Sequence, residues 1–173
     1  MRIRTAFAVS AVPAAAAALL LTAPPSQAAG PAQPATCARK VLTVRAKAAA
    51  GEPTVVRVSV TNHGTRACLV DRVPTVTFGD LDGVALPVPA TSGGTYPLHA
   101  GRTAYADVRT VADPKDPEAR RVPGIGVSAS AYQWGRSFTA ARLGTGREVV
   151  VWEPVTTWWQ PTAAAADRAL GLS

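Results

Sequence analysis

The sequence predicts an all-β domain, an antiparallel β-sandwich closed by one disulfide. Three observations point there. Short segments alternate apolar and polar side chains, the period-two signature of half-buried strands. Turn residues (Asn, Asp, Gly, Pro) interrupt them about every 8–12 residues, as in sandwiches, and no long helical periodicity competes. The chain of 173 residues holds only two cysteines, Cys37 and Cys68.

The first segment is of another kind. Arg2 and Arg4 precede an apolar run from Ala6 to Leu21, and Ser26 and Ala28 supply a small-x-small end. Charged start, apolar middle and small cleavage site are the parts of a secretory signal peptide, with cleavage expected after Ala28. The run is Ala-rich and interrupted by Pro13, which falls short of the roughly 20 strongly apolar residues of a spanning helix. No stable membrane insertion is therefore expected once residues 1–28 are removed. The segment has no twin arginine, and Pro34-Ala35-Thr36 before Cys37 lacks a lipoprotein leucine. The expected localisation is secreted: extracellular or associated with the cell wall.

Residues 29–173 form one ordinary domain, large enough to bury a core. Removing Arg2 and Arg4 leaves 16 basic and 11 acidic residues, a net charge of +5 (16 − 11). A basic exported protein is drawn to anionic envelope polymers, in a salt-sensitive way. The basic residues are spread singly or in pairs along the sequence, without the basic stripe and stacking aromatics of nucleic-acid readers, so no nucleic-acid partner is expected.

In an oxidising compartment, two cysteines form a disulfide most simply. A metal site needs three or four ligands at suitable spacing, and His63 and His99 make no such motif with either cysteine. A catalytic thiol needs a free cysteine beside a base. Closing a loop of about 30 residues would stabilise the fold by roughly 3–4 kcal/mol.

Along the chain, residues 29–36 read as a linker rich in Pro and Ala. Val41–Lys47 alternates partly and begins the sheet. Thr54–Thr61 alternates cleanly, with Val56, Val58 and Val60 inward and Arg57, Ser59 and Thr61 outward. Asn62–Thr65 is a turn. Ala67–Val70 returns with Cys68 inward, expected to pair with Thr54–Thr61. Val76 and Phe78 continue the pattern after Pro74. Asp80–Gly83 reads as a second hairpin turn, with Val84–Val88 as its return. Leu98–Arg102 is a tight corner into a strand from Thr103 to Val111. Asp113–Arg121 is a charged loop, Gly124–Tyr132 is extended, Glu148–Val155 is a last strand, and Ala163–Leu170 suits one short helix. The sandwich is thus expected over 37–155 and a C-terminal tail over 156–173.

The segments Cys37, Val60–Val70, Pro74–Phe78, Asp82–Gly83 and Leu98–Ala104 give this order: a cysteine, a strand ending in an Asn-x-Gly turn, a second cysteine, a Pro-led strand, an Asp-Gly hairpin and a Leu-x-x-Gly corner. In this the chain resembles the exported actinobacterial domains known as domain of unknown function 4232. Ala100 stands where that pattern has proline, and a further C-terminal cysteine pair common in such domains is absent. The resemblance covers roughly residues 37–110. It implies an immunoglobulin-like sandwich on secreted or envelope proteins, and it implies no activity.

Catalytic patterns are weak. Gly126–Ser130 is similar to a nucleophile elbow but lacks the second glycine and the strand–turn–helix setting. Ser128 with His99 is a pair that any chain of this size offers. Asp80–Gly83 lacks the remaining oxygen ligands of a calcium loop. The expectation is a non-enzyme with no cofactor and no metal site; a secreted hydrolase is the remote alternative.

All four tryptophans lie late, at Trp134, Trp152, Trp158 and Trp159. Exposed aromatics mark contacts with proteins or flat sugar rings. Trp158, Trp159 and Trp134 are the candidate contact surface, and adjacent Trp158 and Trp159 point to opposite faces if extended. The competing reading has Trp152 and one of that pair capping the core, since burial is common for tryptophan. The partner expected is an unidentified protein or envelope polymer; the alternative is a small molecule or glycan held by the C-terminal aromatics.

Overall fold

The computed structural model describes residues 34–91 and 93–172. The expected signal peptide and residues 29–33 of the expected linker lie outside the described residues. Among the described residues, no helix is long and apolar enough to cross a membrane.

The protein is built almost wholly from strands. A 3₁₀ turn (Arg39–Val41) leads into β1 (Leu42–Ala49), which pairs antiparallel with β2 (Glu52–Asn62) from Leu42 opposite Asn62. Gly51 makes the turn between them at φ +80°, a left-handed value that glycine adopts without Cβ strain. β3 (Cys68–Asp71), β4 (Thr75–Phe78), β5 (Leu86–Val88) and β6 (Thr95–Leu98) follow, and then β7 (Thr103–Arg109). After the charged loop come β8 (Arg120–Val122), β9 (Gly124–Ser128) and β10 (Arg136–Thr139). A single turn of helix, α1 (Ala140–Leu143), precedes β11 (Val149–Val151) and β12 (Val155–Thr157), and α2 (Ala163–Leu170) ends the chain.

The largest sheet has the order β1-β2-β7-β12-β5; a second has β10-β9-β4; β11 with β8 and β3 with β6 make two ribbons. Period two decides what goes inside. Val56, Val58 and Val60 of β2 and Ala104, Ala106 and Val108 of β7 share one core with Val76, Phe78, Ile125, Val127 and Phe138 of the second sheet. Each fully buried valine contributes roughly 1.5–3 kcal/mol relative to exposure.

Three features differ from expectation, two of them strand pairings. Cys68 does not lie on a strand paired with β2. Both edges of β2 are occupied, by β1 and β7, so β3 crosses away and pairs with β6, Cys68 opposite Leu98. Asn62 guides that exit: its Nδ2 donates to Arg66 O and Leu98 O, and its Oδ1 accepts from Gly64 N–H. Nor does Asp80–Gly83 close a two-stranded hairpin. Ala85 N–H donates to Val76 O, but the next amide on that side belongs to Pro87, which has no N–H. Leu86 N–H instead reaches Pro154 O, and β5 joins β12 in parallel, in a fold otherwise antiparallel among its named strand pairs.

The third difference concerns the C-terminal end. The expected boundary after Val155 falls inside β12, which pairs with both β7 and β5. α2 packs on the outer face of the large sheet, where Leu170 meets Ala49 and Val55. Thr162 Oγ1 caps the helix by accepting from Ala165 N–H, and Gly171 at φ +77° terminates it.

Cys37 and Cys68 form the expected disulfide, their Cα atoms 4.8 Å apart. The segment before Cys37 lies parallel to β3: Cys37 N–H donates to Leu69 O and Leu69 N–H to Ala35 O. The crosslink therefore ties the N-terminal segment to β3 within the core, and not to the centre of the large sheet.

Candidate functional site

The loop from β9 to β10 carries the most exposed aromatics of the described residues. Its base is heavily bonded. Ser128 Oγ sits 2.6 Å from Ser130 O and 2.9 Å from Gln133 O, and Gln133 N–H donates to Ser130 O. Asp71 grips the loop from β3: Ala131 N–H donates to Asp71 Oδ2 at 2.7 Å, and Asp71 N–H to Ser130 Oγ. Gln133 turns inward, and its Nε2 donates to Cys37 O at 2.7 Å. With Gln133 facing in, Tyr132 and Trp134 face out, at 99% and 85% exposure. Two large rings in water are costly to leave bare, and they rest on a base that has little freedom to fold them away.

The loop separates two grooves. Tyr132 borders one of about 420 Å³ with Arg72, Pro74, Val84 and Pro87. Trp134 borders another of about 320 Å³ with Arg39, Leu42, Val44 and Arg136. The second adjoins, at Thr43 and Arg136, which line both, a wider groove of about 770 Å³ along β1. Arg45, Lys47, Arg136 and Arg142 line that wider groove. The Arg136 guanidinium lies 5.6 Å from the centroid of the Phe138 ring, a cation–π contact that holds it at the rim.

The three expected contact tryptophans do not come together. Trp134 is exposed. Trp159 is 2% exposed and belongs to the core, its Nε1 without a hydrogen-bond partner among the described residues. Trp158 lies between: its Nε1 donates to Pro89 O at 2.8 Å and Arg72 stacks 5.0 Å from its ring. The opposite orientation of Trp158 and Trp159 follows from their adjacency in an extended segment. Trp152 is half-buried beside Phe78 and Leu81.

The weaker catalytic patterns look different in three dimensions. Ser128 is buried, with its hydroxyl held by the carbonyls of its own loop, and no hydrogen bond joins it to His99 among the described residues. His63 and His99 are both exposed. Among the described residues, no three His, Cys, Asp or Glu side chains gather as metal ligands.

Sequence reading missed two features. Tyr132-Gln133-Trp134 alternates ring, amide, ring between small residues, a pattern that was there to be seen as a loop with its polar residue turned in. The gathering of basic residues was not visible: Arg45 and Lys47 come from β1, Arg136 from β10 and Arg142 from α1, nearly a hundred positions away.

The fold and this surface define a disulfide-closed, mostly-β domain with a mixed aromatic and basic face. The chain matches the family model described as Domain of unknown function (DUF4232) over residues 37–159, and it belongs to that family. The resemblance carried by residues 37–110 thus extends past β12 to Trp159. No curated protein and no solved structure matches the chain.

Proposed function

We propose that the chain is an exported, non-enzymatic binding module of immunoglobulin-like build, which meets a protein or cell-envelope partner through the loop carrying Tyr132 and Trp134. One observation carries this reading: two nearly fully exposed rings stand on a loop base fixed by hydrogen bonds from Ser128, Asp71 and Gln133. Preorganised aromatics bind with little loss of conformational entropy. The disulfide and the signal-like N-terminal segment support export.

The alternative of a glycan or small-molecule binder built on the C-terminal aromatics loses Trp159 to the core, and Trp158 is already engaged by Pro89 and Arg72. The hydrolase alternative gains no support from Ser128, whose hydroxyl is committed to Ser130 O and Gln133 O.

The test has two parts. Mass spectrometry of protein recovered from culture medium and cell wall should find a chain beginning at Ala29. Pull-down from envelope material should fall sharply for the Tyr132→Ala/Trp134→Ala double variant at unchanged melting temperature. Retention of full capture by that variant overturns the reading.

A further inference from the structure

We infer that the groove along β1 binds a chain-like acidic polysaccharide, with Trp134 as the platform for a sugar ring and Arg45, Lys47, Arg136 and Arg142 as contacts for its anionic groups. The inference rests on the reading above and names the partner.

Charge is the first argument. Arg45, Lys47, Arg136 and Arg142 make no ion pair among the described residues, and no acidic side chain among them lines the groove or its extension past Trp134. Arg57, which also reaches the groove, is already neutralised by Asp107 and Asp167. Four like charges held close together on a domain repel one another, and an anionic ligand relieves that repulsion.

Shape is the second argument. The two grooves lie side by side, sharing Thr43 and Arg136 in their linings, so the surface they offer is long. Arg45 and Lys47 lie two residues apart on one strand, on one face, at a spacing of roughly 6.6 Å. A repeating anion along a chain matches such a row better than one compact ligand does.

Lining chemistry is the third argument. Besides the cations the groove is lined by Thr43, Ser59, Ala46 and Ala48, small side chains and hydroxyls, and by the half-buried Tyr105. A protein partner would look for deep apolar anchor pockets, which small residues do not build. A single-stranded nucleic acid would look for successive stacking rings. Here one exposed ring, Trp134, stands at one end, while Tyr105 is half-buried in the sheet and the Phe138 ring is buried beneath Arg136, so there is no run of exposed stacking rings among the described residues. One flat ring, hydroxyls and spaced cations suit sugar rings bearing carboxylates.

There is a competing account of two of the charges. β1 is an edge strand, and Lys or Arg on an edge guards against strand pairing between molecules. That account predicts aggregation without them and assigns no role to Trp134.

The experiment uses the purified protein with defined oligomers of polygalacturonate, and neutral dextran, inorganic polyphosphate and duplex DNA as comparison probes. Binding is followed by calorimetry at two salt concentrations, with size-exclusion chromatography of each variant. Polygalacturonate is expected to bind in a salt-sensitive way and dextran not at all. Arg45→Gln/Lys47→Gln should weaken binding roughly tenfold while remaining monomeric, as loss of charge-assisted hydrogen bonds implies. Trp134→Ala should weaken it about fivefold with an unchanged salt dependence.

Three results overturn the inference: no polygalacturonate binding, unchanged affinity in the charge variant, or equal binding of polyphosphate and DNA with no effect of Trp134→Ala. The last would assign the groove to general polyanion or nucleic-acid attraction. If Tyr132→Ala/Trp134→Ala abolishes envelope capture while Arg45→Gln/Lys47→Gln leaves it intact, the contact loop stands and the polysaccharide assignment falls. If neither variant affects capture, both fall.

Discussion

Arg57 and Asp107 lie directly opposite each other on β2 and β7, and the guanidinium meets the carboxylate through two bonds, Nε to Oδ1 at 2.9 Å and Nη2 to Oδ2 at 3.2 Å. Asp107 is fully buried although it is on the outer face of the sheet, because α2 covers it. The same guanidinium reaches Asp167 of α2, and Arg109 Nη2 donates to Leu170 O at the helix end. Two arginines thus fasten the C-terminal helix to the sheet, and apolar contacts of Leu170 with Ala49 and Val55 complete the seat. Asp107→Ala leaves the partly buried Arg57 with only its Asp167 partner. It should cost about 1–2 kcal/mol at neutral pH, read from urea denaturation, since two charge-assisted bonds are lost while the part-exposed Arg57 stays paired with Asp167.

The same carboxyl gives a pH signature. Burial pushes the Asp107 carboxyl above its usual value, and the Arg57 bonds offset this only in part. The folded state then holds that proton more tightly than the unfolded chain, whose aspartates titrate near about 3.9. The associated stability is fully present below that unfolded value and is lost as pH rises through the raised folded value. Asp107→Asn has no such proton. The expected outcome is that wild-type melting temperature falls relative to that of Asp107→Asn as pH increases from about 4 upward through the folded value. A difference that is flat across this window would show that the ion pair, and not burial, governs the group.

The disulfide acts on a different part of the chain. It crosslinks residues 31 apart in sequence and holds the segment before β1 along β3. Cys37→Ser/Cys68→Ser should lose roughly 3–4 kcal/mol, chiefly through the freed unfolded chain. Gln133 Nε2 depends on Cys37 O, so the variant should also loosen the aromatic loop. Tryptophan fluorescence of Trp134 in a background with Trp152, Trp158 and Trp159 each replaced by Phe would report that as a change in anisotropy.

What the sequence revealed, and what it did not, follows one physical division. Strands whose faces differ were legible: Val56, Val58 and Val60 against Arg57, Ser59 and Thr61 marked β2 and its inward face, and α2 was legible as Ala163–Leu170 to the residue. Partners of strands were not. Alternation says which face is buried but not which edge is taken, and β3, β5 and β12 found partners set by edge occupancy and by the missing amide of Pro87. The disulfide was legible because two cysteines leave one pairing. At the contact surface, Trp134 was legible as a ring without an obvious core place, whereas the basic groove was assembled only by folding from β1, β10 and α1. Alternation with Ala106 and Val108 places Asp107 on the outward face of β7, and nothing local to that strand announces the helix that covers it.

Two glycines on β9 make a controlled comparison. A Cβ on Gly124 would lie 2.2 Å from Phe138 O, a backbone atom of the adjoining β10 ladder that cannot rotate away. A Cβ on Gly126 would lie 2.6 Å from Thr77 Oγ1, the end of an exposed side chain that can turn aside. Gly124→Ala should therefore cost about 3 kcal/mol or more by forced displacement of β10, and Gly126→Ala about 1 kcal/mol or less. Thermal denaturation of the two variants side by side checks the order; equal losses would mean that β10 shifts without resistance.

The tryptophans separate core from surface in a single series. Trp159→Ala empties a site in the shared core and should cost about 3–5 kcal/mol. Trp159→Phe keeps most of the ring and removes an Nε1 that has no hydrogen-bond partner among the described residues, an unmet group that itself costs about 1–3 kcal/mol when buried, so its net loss should be much smaller. Trp158→Ala forfeits the bond to Pro89 O and the stacked Arg72, and should fall between, at about 1–2 kcal/mol. Trp134→Ala touches a ring that is already in water and should change stability by less than about 0.5 kcal/mol. Measured by denaturation in one buffer, the expected order of loss is Trp159→Ala, then Trp158→Ala, with Trp134→Ala at the end. A substantial loss at Trp134 would mean that this ring belongs to the packing of its loop, and it could no longer be held in reserve for a partner.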